Sequence, residues 1–523
     1  MHQHSLYRWG IFPLWLLLSS SIFFRHPIPI DETRYLSVAW EMWLRDEFWV
    51  PYLNGQTYSH KPPLLFWLFQ LGWSVLGVNE WWPRVVGPIC ALINLLMIRH
   101  LAGKLWPEDR LIALKAPWIL MSTLLWTLFA TSTMFDILLT CCVLLGMMGL
   151  FEAAQGKAFK GWGYFSLAVG LGLLAKGPVI FLHLLPTAVL AFLWQRPSRH
   201  STWLAHLILA SLSGCAIALC WALPAAAAGG EDYASAILWH QTADRTVGTK
   251  IHARSFVWYL RFLPLLVFPW IVWPRFWQNL KLTNIPADPG LRFCLTWLLS
   301  SFVIFSWLPS KQLHYLIPML PAFALLCARV LRYQDAERHW LPELIPALCI
   351  TAMGLFLALL QKVPGLSDLH WVQSVEPYWG VSIVATGLII GASTWFYRKL
   401  TVMSLSLTIV VSIFIGFVFF FQYTGLQYNL RPAALKVKQL QEQGTPLAFV
   451  GDYQGQFHFL GRLTQALAVI KPKQVRDWSQ QHPGGYLIFL EKTPPQQADY
   501  VQPHREYWLA FKTVDQVLTT TRP

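Results

Sequence analysis

Residues 9–43 read WGIFPLWLLLSSSIFFRHPIPIDETRYLSVAWEMW, and a change of pattern inside this stretch decides the fold. Residues 9–24 are apolar enough to enter the hydrocarbon of a bilayer. Asp31, Glu32 and Arg34 follow at once, and the segment after them is amphipathic with the spacing of a helix. The stretch therefore predicts a membrane span that leads into a helix on the membrane surface.

The composition of the whole chain is that of an integral membrane protein. Of its 523 residues, 55% are hydrophobic and 13% are charged, whereas soluble domains carry about 25% charged residues. The net charge of +14 would suit a nucleic acid partner, but the basic residues lie in short loops between apolar runs, which is the positive-inside pattern. The sequence therefore predicts no nucleic acid partner.

The apolar runs long enough to cross about 30 Å of hydrocarbon number thirteen. They lie near residues 9–24, 84–103, 111–130, 136–152, 162–176, 179–194, 203–224, 256–274, 293–308, 314–331, 342–360, 378–396 and 401–421. One further run, PPLLFWLFQLGWSVLG at 62–77, has room for about 13 helical residues, or roughly 20 Å, so an interfacial helix is expected there. With a cytoplasmic N-terminus, this choice puts nearly every multi-basic short loop on the cytoplasmic side, whereas a span at 62–77 would put those loops outside.

This topology predicts two domains. Residues 1–421 are expected to form an α-helical polytopic membrane domain, whose first outer loop, 25–83, carries interfacial helices. Residues 422–523 are expected to form a small α/β domain on the outer side of the membrane. The reason is an alternation of helix-like segments (LKVKQLQEQG, KQVRDWSQQ) with strand-like segments (PLAFVGD, GGYLIFLEK).

Two interpretations of the charges in the first outer loop stay open from pattern alone. Asp31 could cap the following helix while Glu32 favours its dipole, or the two carboxylates could serve chemistry. His60 and Lys61 come directly before a proline-started helix, where backbone amides and a cation would converge on an anion. The alternative for Lys61 is a side chain that reaches from a helix end to the membrane interface.

Further ionisable residues are predicted on the same outer face. Asp136 starts an apolar span, Lys176 ends one in LLAKGP, and Lys311 precedes one with Tyr315 close by. The loop 225–255 adds His240, Asp244 and Arg245. Each of these taken singly could be a surface charge, but an acidic residue at membrane depth is costly without a role or partner. Together they suit a site that handles a lipid phosphate and an acceptor.

Several of these segments resemble one protein family, in the same order along the chain. The string DETRYLSVAWEMWLRDEFWVPYLNGQTYSHKPPLLFW is similar to the first outer loop of polyprenyl-phosphate-sugar-dependent glycosyltransferases of the GT-C fold. These enzymes are related to lipid A aminoarabinose transferase and to the protein O-mannosyltransferases. NEWWPRVVG, the lone Asp136, LLAKGP and PSKQLHYLIPMLP look like later blocks of the family. Thirteen spans followed by a small outer domain resemble the aminoarabinose transferase branch in particular.

The resemblance implies roles for individual residues. Asp31, with Glu32 beside it, matches the acidic residue considered central to catalysis, and Asp136 matches a second acid. Lys61 matches the lysine that contacts the lipid-linked phosphate. Further contacts with the donor phosphate are expected from Arg34, Lys176, Arg245, Lys311 and Tyr315.

A metal is not required by this resemblance, but a divalent ion such as zinc stays an open alternative. His240 falls near a family histidine that takes part in a metal contact, and its partner in the family is an acid directly before the KPP lysine. Here that position is His60. A pair of histidines could still hold zinc.

The resemblance implies an enzyme that moves a sugar from a polyprenyl-phosphate donor to an envelope acceptor on the outer side of the bacterial inner membrane. Lipid A or a related glycolipid, modified with a sugar of the 4-amino-4-deoxy-L-arabinose type, is the leading expectation. Lys61 would stabilise the departing phosphate, and Asp31 would position or deprotonate the acceptor. A monomer in contact with membrane lipids is expected.

Two alternatives remain beside this expectation. The first is an enzyme like the protein O-mannosyltransferases, with a protein acceptor. The second is a transporter or flippase for lipid-linked sugars, which would place ionisable groups near the middle of the bilayer and often contain inverted repeats. The charges here gather at one face instead, and the sequence shows no repeat.

Overall fold

The structure is a computed structural model that describes residues 2–195, 200–237, 254–280, 285–332, 341–367, 372, 375–396 and 401–520. Its α-helices are His2–Trp9, Ile11–Ser20, Asp31–Leu44, Leu64–Leu76, Trp81–Leu105, Arg110–Ser122, Leu124–Phe129, Phe135–Ala154, Ala158–Lys176, Val179–Val189, Ala191–Trp194, His200–Ser235, Trp258–Leu266, Pro274–Asn279, Pro289–Trp307, Leu320–Val330, Leu341–Leu359, Pro377–Phe396, Thr401–Thr424, Arg431–Glu442, His458–Gly461, Val475–Gln481 and Val514–Thr520. Its strands are β1 Tyr52–Leu53, β2 Gln56–Thr57, β3 Leu447–Val450, β4 Ala468–Ile470, β5 Tyr486–Glu491, β6 Tyr500–His504 and β7 Tyr507–Thr513.

The chain divides into two compact units. One, called the membrane unit, comprises Met1–Ile22, Val85–Leu223 and Leu238–Phe419. The other, called the sheet unit, comprises Phe23–Arg84, Pro224–Ile237 and Phe420–Pro523. The first outer loop thus clusters with the tail, and the domain boundary expected after residue 421 stays a prediction.

Helical membrane architecture is confirmed. Within the described part of the chain, nine helical stretches are long and apolar enough to cross a membrane. In the same described part, the apolar helices Leu64–Leu76 and Val179–Val189 are shorter, as is the apolar stretch Pro377–Ser393 of the helix Pro377–Phe396. The number of thirteen spans stays a prediction.

Several expected spans are interrupted in the structure, among them 256–274, 111–130 and 179–194. The run 256–274 is broken into the helix Trp258–Leu266, a short 3-10 segment and the helix Pro274–Asn279. Pro269 and Pro274 lie at these breaks, and proline lacks the N–H that an uninterrupted helix needs. The run 111–130 is broken at Thr123, whose backbone is extended. Hydropathy alone does not detect such breaks.

A close helical hairpin forms part of the membrane unit. The helices Phe135–Ala154 and Ala158–Lys176 contain 20 and 19 residues and are joined by a three-residue turn. Gly149 and Gly161 face each other, since a Cβ on Gly149 would lie 2.6 Å from the carbonyl oxygen of Gly161. Small residues at such an interface let two backbones approach closely. Because the helices are nearly equal in length, the start of the first lies beside the end of the second.

The sheet unit contains a five-stranded mixed sheet with the order β4-β3-β5-β7-β6. β3 pairs in parallel with β4 and β5, whereas β7 pairs antiparallel with β5 and β6. Ala448, Leu487 and Val517 form a buried core between the sheet and its helices. The expected alternation of helix and strand in the tail is therefore confirmed.

Two helices of the first outer loop pack side by side in the sheet unit. Tyr35 and Phe66 have ring centroids 6.4 Å apart, and Trp43 and Trp73 have ring centroids 6.1 Å apart. Because the early residues of both helices meet and the late residues of both helices meet, Asp31–Leu44 and Leu64–Leu76 run in the same direction. We call them the parallel helix pair. Both of their N-termini lie at one end.

Candidate active site

Asp31 lies in the first turn of its helix but does not cap it. The N-cap residue is Ile30, and no side chain makes a capping hydrogen bond. The carboxylate of Asp31 instead forms an ion pair with the guanidinium of Arg34. The side chain of Asp31 is 47% exposed, whereas that of Arg34 is 22% exposed. The structure therefore does not support the capping interpretation, and the chemical role of Asp31 stays a prediction.

Tyr35 adds a second contact to this carboxylate. Its hydroxyl donates a long hydrogen bond of 3.4 Å to Asp31 Oδ1. Burial, and next the charge of Asp31, raise the pKa of the Tyr35 hydroxyl well above its usual value near 10. The hydroxyl consequently stays protonated at neutral pH and remains a donor.

Lys61 comes three residues before the second helix of the parallel helix pair. That helix begins at Leu64 with Pro63 as its N-cap and has no side-chain cap. Since both N-termini lie at one end of the pair, Lys61 lies at the same end as Asp31. Lys61 is half-buried and His60 beside it is exposed. A cationic residue thereby lies near the N-terminal end of a helix, and this combination attracts an anion.

The C-terminal tail covers the parallel helix pair and reaches the Asp31–Arg34 ion pair. Arg34 Nη1 donates a 2.9 Å hydrogen bond to Gln454 Oε1. Further along the same helix, Ser37 Oγ accepts from the Phe459 amide at 3.1 Å, and Trp40 Nε1 donates to the Leu463 carbonyl at 2.9 Å. The expected surface helix is thus buried along most of its length, because the tail supplies partners for its polar face.

The segment that carries Gln454 is internally braced. Tyr453 Oη and His458 Nδ1 lie 2.8 Å apart, and the Gln454 amide donates to Gln456 Oε1 at 3.0 Å. Burial lowers the pKa of His458 to about 4, so this imidazole is neutral at pH 7. The bracing fixes the backbone from which Gln454 reaches Arg34.

Glu32 points to a different partner from its neighbour Asp31. Its buried carboxylate accepts from Arg25 Nη1 at 2.6 Å, from Arg25 Nη2 at 3.0 Å and from the Ile28 amide at 2.7 Å. A buried bidentate pair of this kind holds the start of a helix in place. The structure supports a positioning role for Glu32, and its expected catalytic role stays a prediction.

Sequence reasoning did not find the network that extends from this pair. Arg84 donates to the Arg25 carbonyl at 2.5 Å and to Glu80 at 3.1 Å, and Glu80 also forms an ion pair with Arg431. Glu80 and Arg84 lie in the NEWWPRVVG segment, which was recognised as a family block without a role for either residue. Their spacing of four residues, with Glu80 directly before the helix Trp81–Leu105 and Arg84 in its first turn, was the available signal.

Three of the residues predicted from the sequence meet in the membrane unit. Asp136, which is 2% exposed, forms an ion pair with Lys176. Lys176 Nζ also lies 5.0 Å from the centre of the Tyr315 ring, in a cation–π contact. The helical hairpin described above explains this pairing, because Asp136 starts its first helix and Lys176 ends its second. His183, which was not predicted, is buried nearby, with its ring 4.6 Å from that of Phe305.

Lys311 has a different environment from Lys176. Its ammonium donates to the carbonyls of Arg254, at 3.1 Å, and Leu308. Leu308 follows the helix Pro289–Trp307 directly, so Lys311 satisfies one carbonyl at a helix end. This observation supports a structural role, and the expected contact of Lys311 with a donor phosphate stays a prediction.

His240 and Arg245 lie outside the described residues. Within the described part of the chain, no group of three or more His, Cys, Asp or Glu side chains could hold a metal ion. The zinc alternative, which pairs His60 with His240, therefore stays a prediction.

The fold places the chain in a structural class. It is a multi-pass membrane protein with the helical architecture of the GT-C type and a small appended sheet. The crystal structure of ArnT from Cupriavidus metallidurans bound to undecaprenyl phosphate matches it with a TM-score of 0.76 over 97% of both chains, at 17% identity. The apo structure of the same protein matches with a TM-score of 0.76 over 98% of both chains, at 16% identity.

Sequence relatives agree with this class. The chain is 28% identical over 359 residues to undecaprenyl phosphate-alpha-4-amino-4-deoxy-L-arabinose arabinosyl transferase 2 of Pseudomonas fluorescens, covering 65% of this chain and 63% of the relative. A Pseudomonas aeruginosa arabinosyl transferase of the same kind is 28% identical over 60% of this chain and 59% of its own length. The family model described as dolichyl-phosphate-mannose-protein mannosyltransferase matches residues 60–226. The matches thus span less than two thirds of these relatives, and the resemblance predicted from the sequence is confirmed.

Proposed function

We propose that this chain is a glycosyltransferase that moves a sugar from a polyprenyl-phosphate donor to an envelope acceptor at the outer face of the bacterial inner membrane. The observation that carries the proposal is the end of the parallel helix pair. There, the partly exposed carboxylate of Asp31 is held by Arg34, and Lys61 precedes the second helix. A carboxylate for an acceptor and a cation for a phosphate are the two groups that such a transfer needs.

The names of the relatives support a particular donor. Both arabinosyl transferases described above are named for undecaprenyl phosphate-alpha-4-amino-4-deoxy-L-arabinose. The proposed donor is therefore an undecaprenyl-phosphate-linked aminoarabinose or a sugar close to it. The proposed acceptor is lipid A or a related glycolipid.

In the proposed reaction, the bond between the anomeric carbon and the phosphate oxygen breaks, and the polyprenyl phosphate keeps the electron pair. The Lys61 ammonium stabilises that developing negative charge in a partly water-excluded place. An oxygen of the acceptor forms the new bond from the opposite side of the sugar, so the anomeric configuration inverts. If this oxygen belongs to a hydroxyl group, Asp31 accepts its proton, and if it belongs to a phosphate, Asp31 orients the acceptor.

Arg34 connects these roles. Its guanidinium offers five N–H donors in a fixed plane. Asp31 engages Nη2 and Gln454 engages Nη1. In the proposed mechanism Arg34 keeps the carboxylate of Asp31 correctly oriented, and it adds positive charge for the donor phosphate.

Asp136 and Lys176 are assigned a separate role in the membrane unit. Two opposite charges at that depth stabilise each other, and the removal of either would leave an uncompensated buried charge. We therefore assign the pair to the ordering of the hairpin and of Tyr315 beside it. The expected contact of Lys176 with a donor phosphate stays a prediction.

A protein acceptor is the second candidate function. The match of residues 60–226 to the dolichyl-phosphate-mannose-protein mannosyltransferase model favours it. Asp31 would then act as a base on a Ser or Thr hydroxyl. A hydroxyl acceptor needs a base more than a phosphate acceptor does, because the hydroxyl must lose its proton.

Replacing Gln454 with alanine is expected to lower turnover about tenfold, because Arg34 loses one charge-assisted hydrogen bond and with it a fixed orientation. The Michaelis constant for the donor should change less than turnover. Gln454→Glu should restore most activity, since a carboxylate also accepts from Arg34. Gln465→Ala is the matched control, because Gln465 is an exposed glutamine of the same segment. Steady-state kinetics that give Gln454→Ala and Gln465→Ala equal turnover would remove Gln454 from the site.

The proposed function is tested by reconstituting the purified chain with a synthetic undecaprenyl-phosphate aminoarabinose donor. Lipid A and a Ser/Thr-rich peptide are offered as competing acceptors. We expect a glycosylated lipid A and free undecaprenyl phosphate in equal amounts. Glycosylated peptide without modified lipid A would favour the second candidate, and donor that stays intact with both acceptors would contradict the donor assignment.

A further inference from the structure

Three lysines converge on one buried glutamate at the turn of the helical hairpin. Glu152, which is 2% exposed, forms ion pairs with Lys104 and, at 3.1 Å, with Lys157. Lys160 approaches the same carboxylate to 3.9 Å. One lysine would suffice to neutralise this carboxylate, so the cluster keeps an excess of two positive charges.

This cluster is remote from the Asp136–Lys176 pair. Asp136 and Glu152 lie at opposite ends of the helix Phe135–Ala154. The rise of 1.5 Å per residue separates them by about 24 Å along the helix axis. No step of the proposed transfer uses this end of the hairpin, which the charge pattern of the sequence predicts to be cytoplasmic.

A cavity of about 470 Å³ with a mixed polar and apolar lining opens beside the cluster. Lys104, Glu152 and Lys157 line it together with Gln155 and Gln195. Ion pairing with Glu152 leaves two of the lysines accessible to a ligand, since the side chains of Lys157 and Lys160 are 59% and 49% exposed. The cavity therefore combines space, amide donors and surplus positive charge.

The chain segments next to the cavity expose large apolar side chains, and this exposure indicates contact with lipid. Phe159 stands between Lys157 and Lys160 and is 98% exposed. Phe192 and Leu193, which precede Gln195, are also about half exposed. An aromatic side chain flanked by lysines is typical of a segment that lies at the boundary between headgroups and acyl chains.

We propose that this cavity binds the phosphodiester headgroup of an anionic phospholipid, with Lys104, Lys157 and Lys160 around the phosphate and Phe159 against the acyl chains. Basic pockets between membrane helices bind such headgroups in other membrane proteins. Glu152 holds the three ammonium groups together when no lipid is bound, and the surplus charge is what the headgroup neutralises. A free phosphate shares the headgroup chemistry but lacks the apolar contact with Phe159.

The test measures lipid binding to the full chain in a zwitterionic detergent, by native mass spectrometry and by thermal unfolding. Phosphatidylglycerol is compared with phosphatidylcholine and with inorganic phosphate. Phosphatidylglycerol should be retained and should raise the unfolding temperature, whereas the other two should do neither. Inorganic phosphate that stabilises the chain as strongly would overturn the lipid assignment in favour of a soluble anion.

Variants then locate the site. Lys157→Gln with Lys160→Gln should weaken binding of phosphatidylglycerol roughly 30-fold, at about fivefold for each lysine near the surface. The double replacement by arginine keeps the charge and should keep the binding. Lys473→Gln with Lys492→Gln is the matched control, since both lysines are exposed and lie in the sheet unit. Equal affinities of the Lys157/Lys160 glutamine variant and this control would overturn the proposal.

Discussion

Replacing Asp31 with asparagine is expected to abolish sugar transfer, with a loss of turnover of at least about a thousandfold. Asparagine has nearly the same size and can still receive hydrogen bonds from Arg34 and Tyr35. It carries no charge, however, so it neither accepts a proton from a hydroxyl acceptor nor stabilises positive charge on the sugar. Turnover with the undecaprenyl-phosphate donor measures the effect, and the unfolding temperature reports whether the variant is folded.

A matched control is available in the same loop. Asp46 is exposed and has a positive φ of 51°, a conformation that asparagine tolerates well. Asp46→Asn should therefore keep wild-type turnover. Wild-type turnover in Asp31→Asn as well would show that the carboxylate of Asp31 takes no part in the chemistry.

Replacing Lys61 with alanine is expected to weaken binding of the lipid-phosphate donor by roughly a hundredfold, which corresponds to the loss of a charge-assisted hydrogen bond of up to about 3 kcal/mol. The reason is the position of Lys61 three residues before the helix Leu64–Leu76, because the N-terminal end of a helix favours an anion. Titration of the purified chain with undecaprenyl phosphate, followed by tryptophan fluorescence, measures the affinity.

Two further variants test whether a loss of affinity is due to the positive charge at position 61. Lys61→Arg keeps the charge and should retain most of the affinity. Lys473→Ala removes an exposed lysine of the tail and should leave affinity unchanged. An unchanged affinity in Lys61→Ala would mean that Lys61 reaches to the membrane interface without touching the donor.

The sequence was most informative about local structure. The short run at 62–77 was expected to hold an interfacial helix, and the structure has the helix Leu64–Leu76, of 13 residues, in this run. Leu71, Val75 and Leu76 on this helix are exposed, as expected for a surface that meets lipid. Periodicity also identified two of the four α-helices after residue 430, Arg431–Glu442 and Val475–Gln481, and two of the five strands of the tail sheet. Single helices and strands depend on neighbours within a few residues of the sequence, so the periodicity of apolar residues predicts them.

The candidate site was only partly predictable, for a physical reason. Asp31, Arg34 and Lys61 lie in one loop and could be recognised as a group. Gln454 contacts Arg34 from 420 positions away, and no local pattern encodes such a contact. Asp31 also resembled a helix cap from sequence, and only the backbone shows that Ile30 occupies the capping position.

Packing explains the remaining differences. The meeting of Asp136 with Lys176 depends on the close approach of Gly149 and Gly161, which determines where the two helices align. The role of Glu32 depends on Arg25, which the sequence presents as an ordinary charge at the end of an apolar run. In both cases the sequence contains the partner residue, but it does not indicate which charged group that residue contacts.

Mass spectrometry of lipid A tests the central claim most directly. Lipid A is extracted from the source bacterium, from a strain that lacks the gene, and from that strain carrying the wild-type or the Asp31→Asn gene. We predict that an aminoarabinose-type modification on a lipid A phosphate disappears with the gene, returns with the wild-type copy and stays absent with Asp31→Asn. An unchanged pattern of lipid A in all four samples would contradict the account.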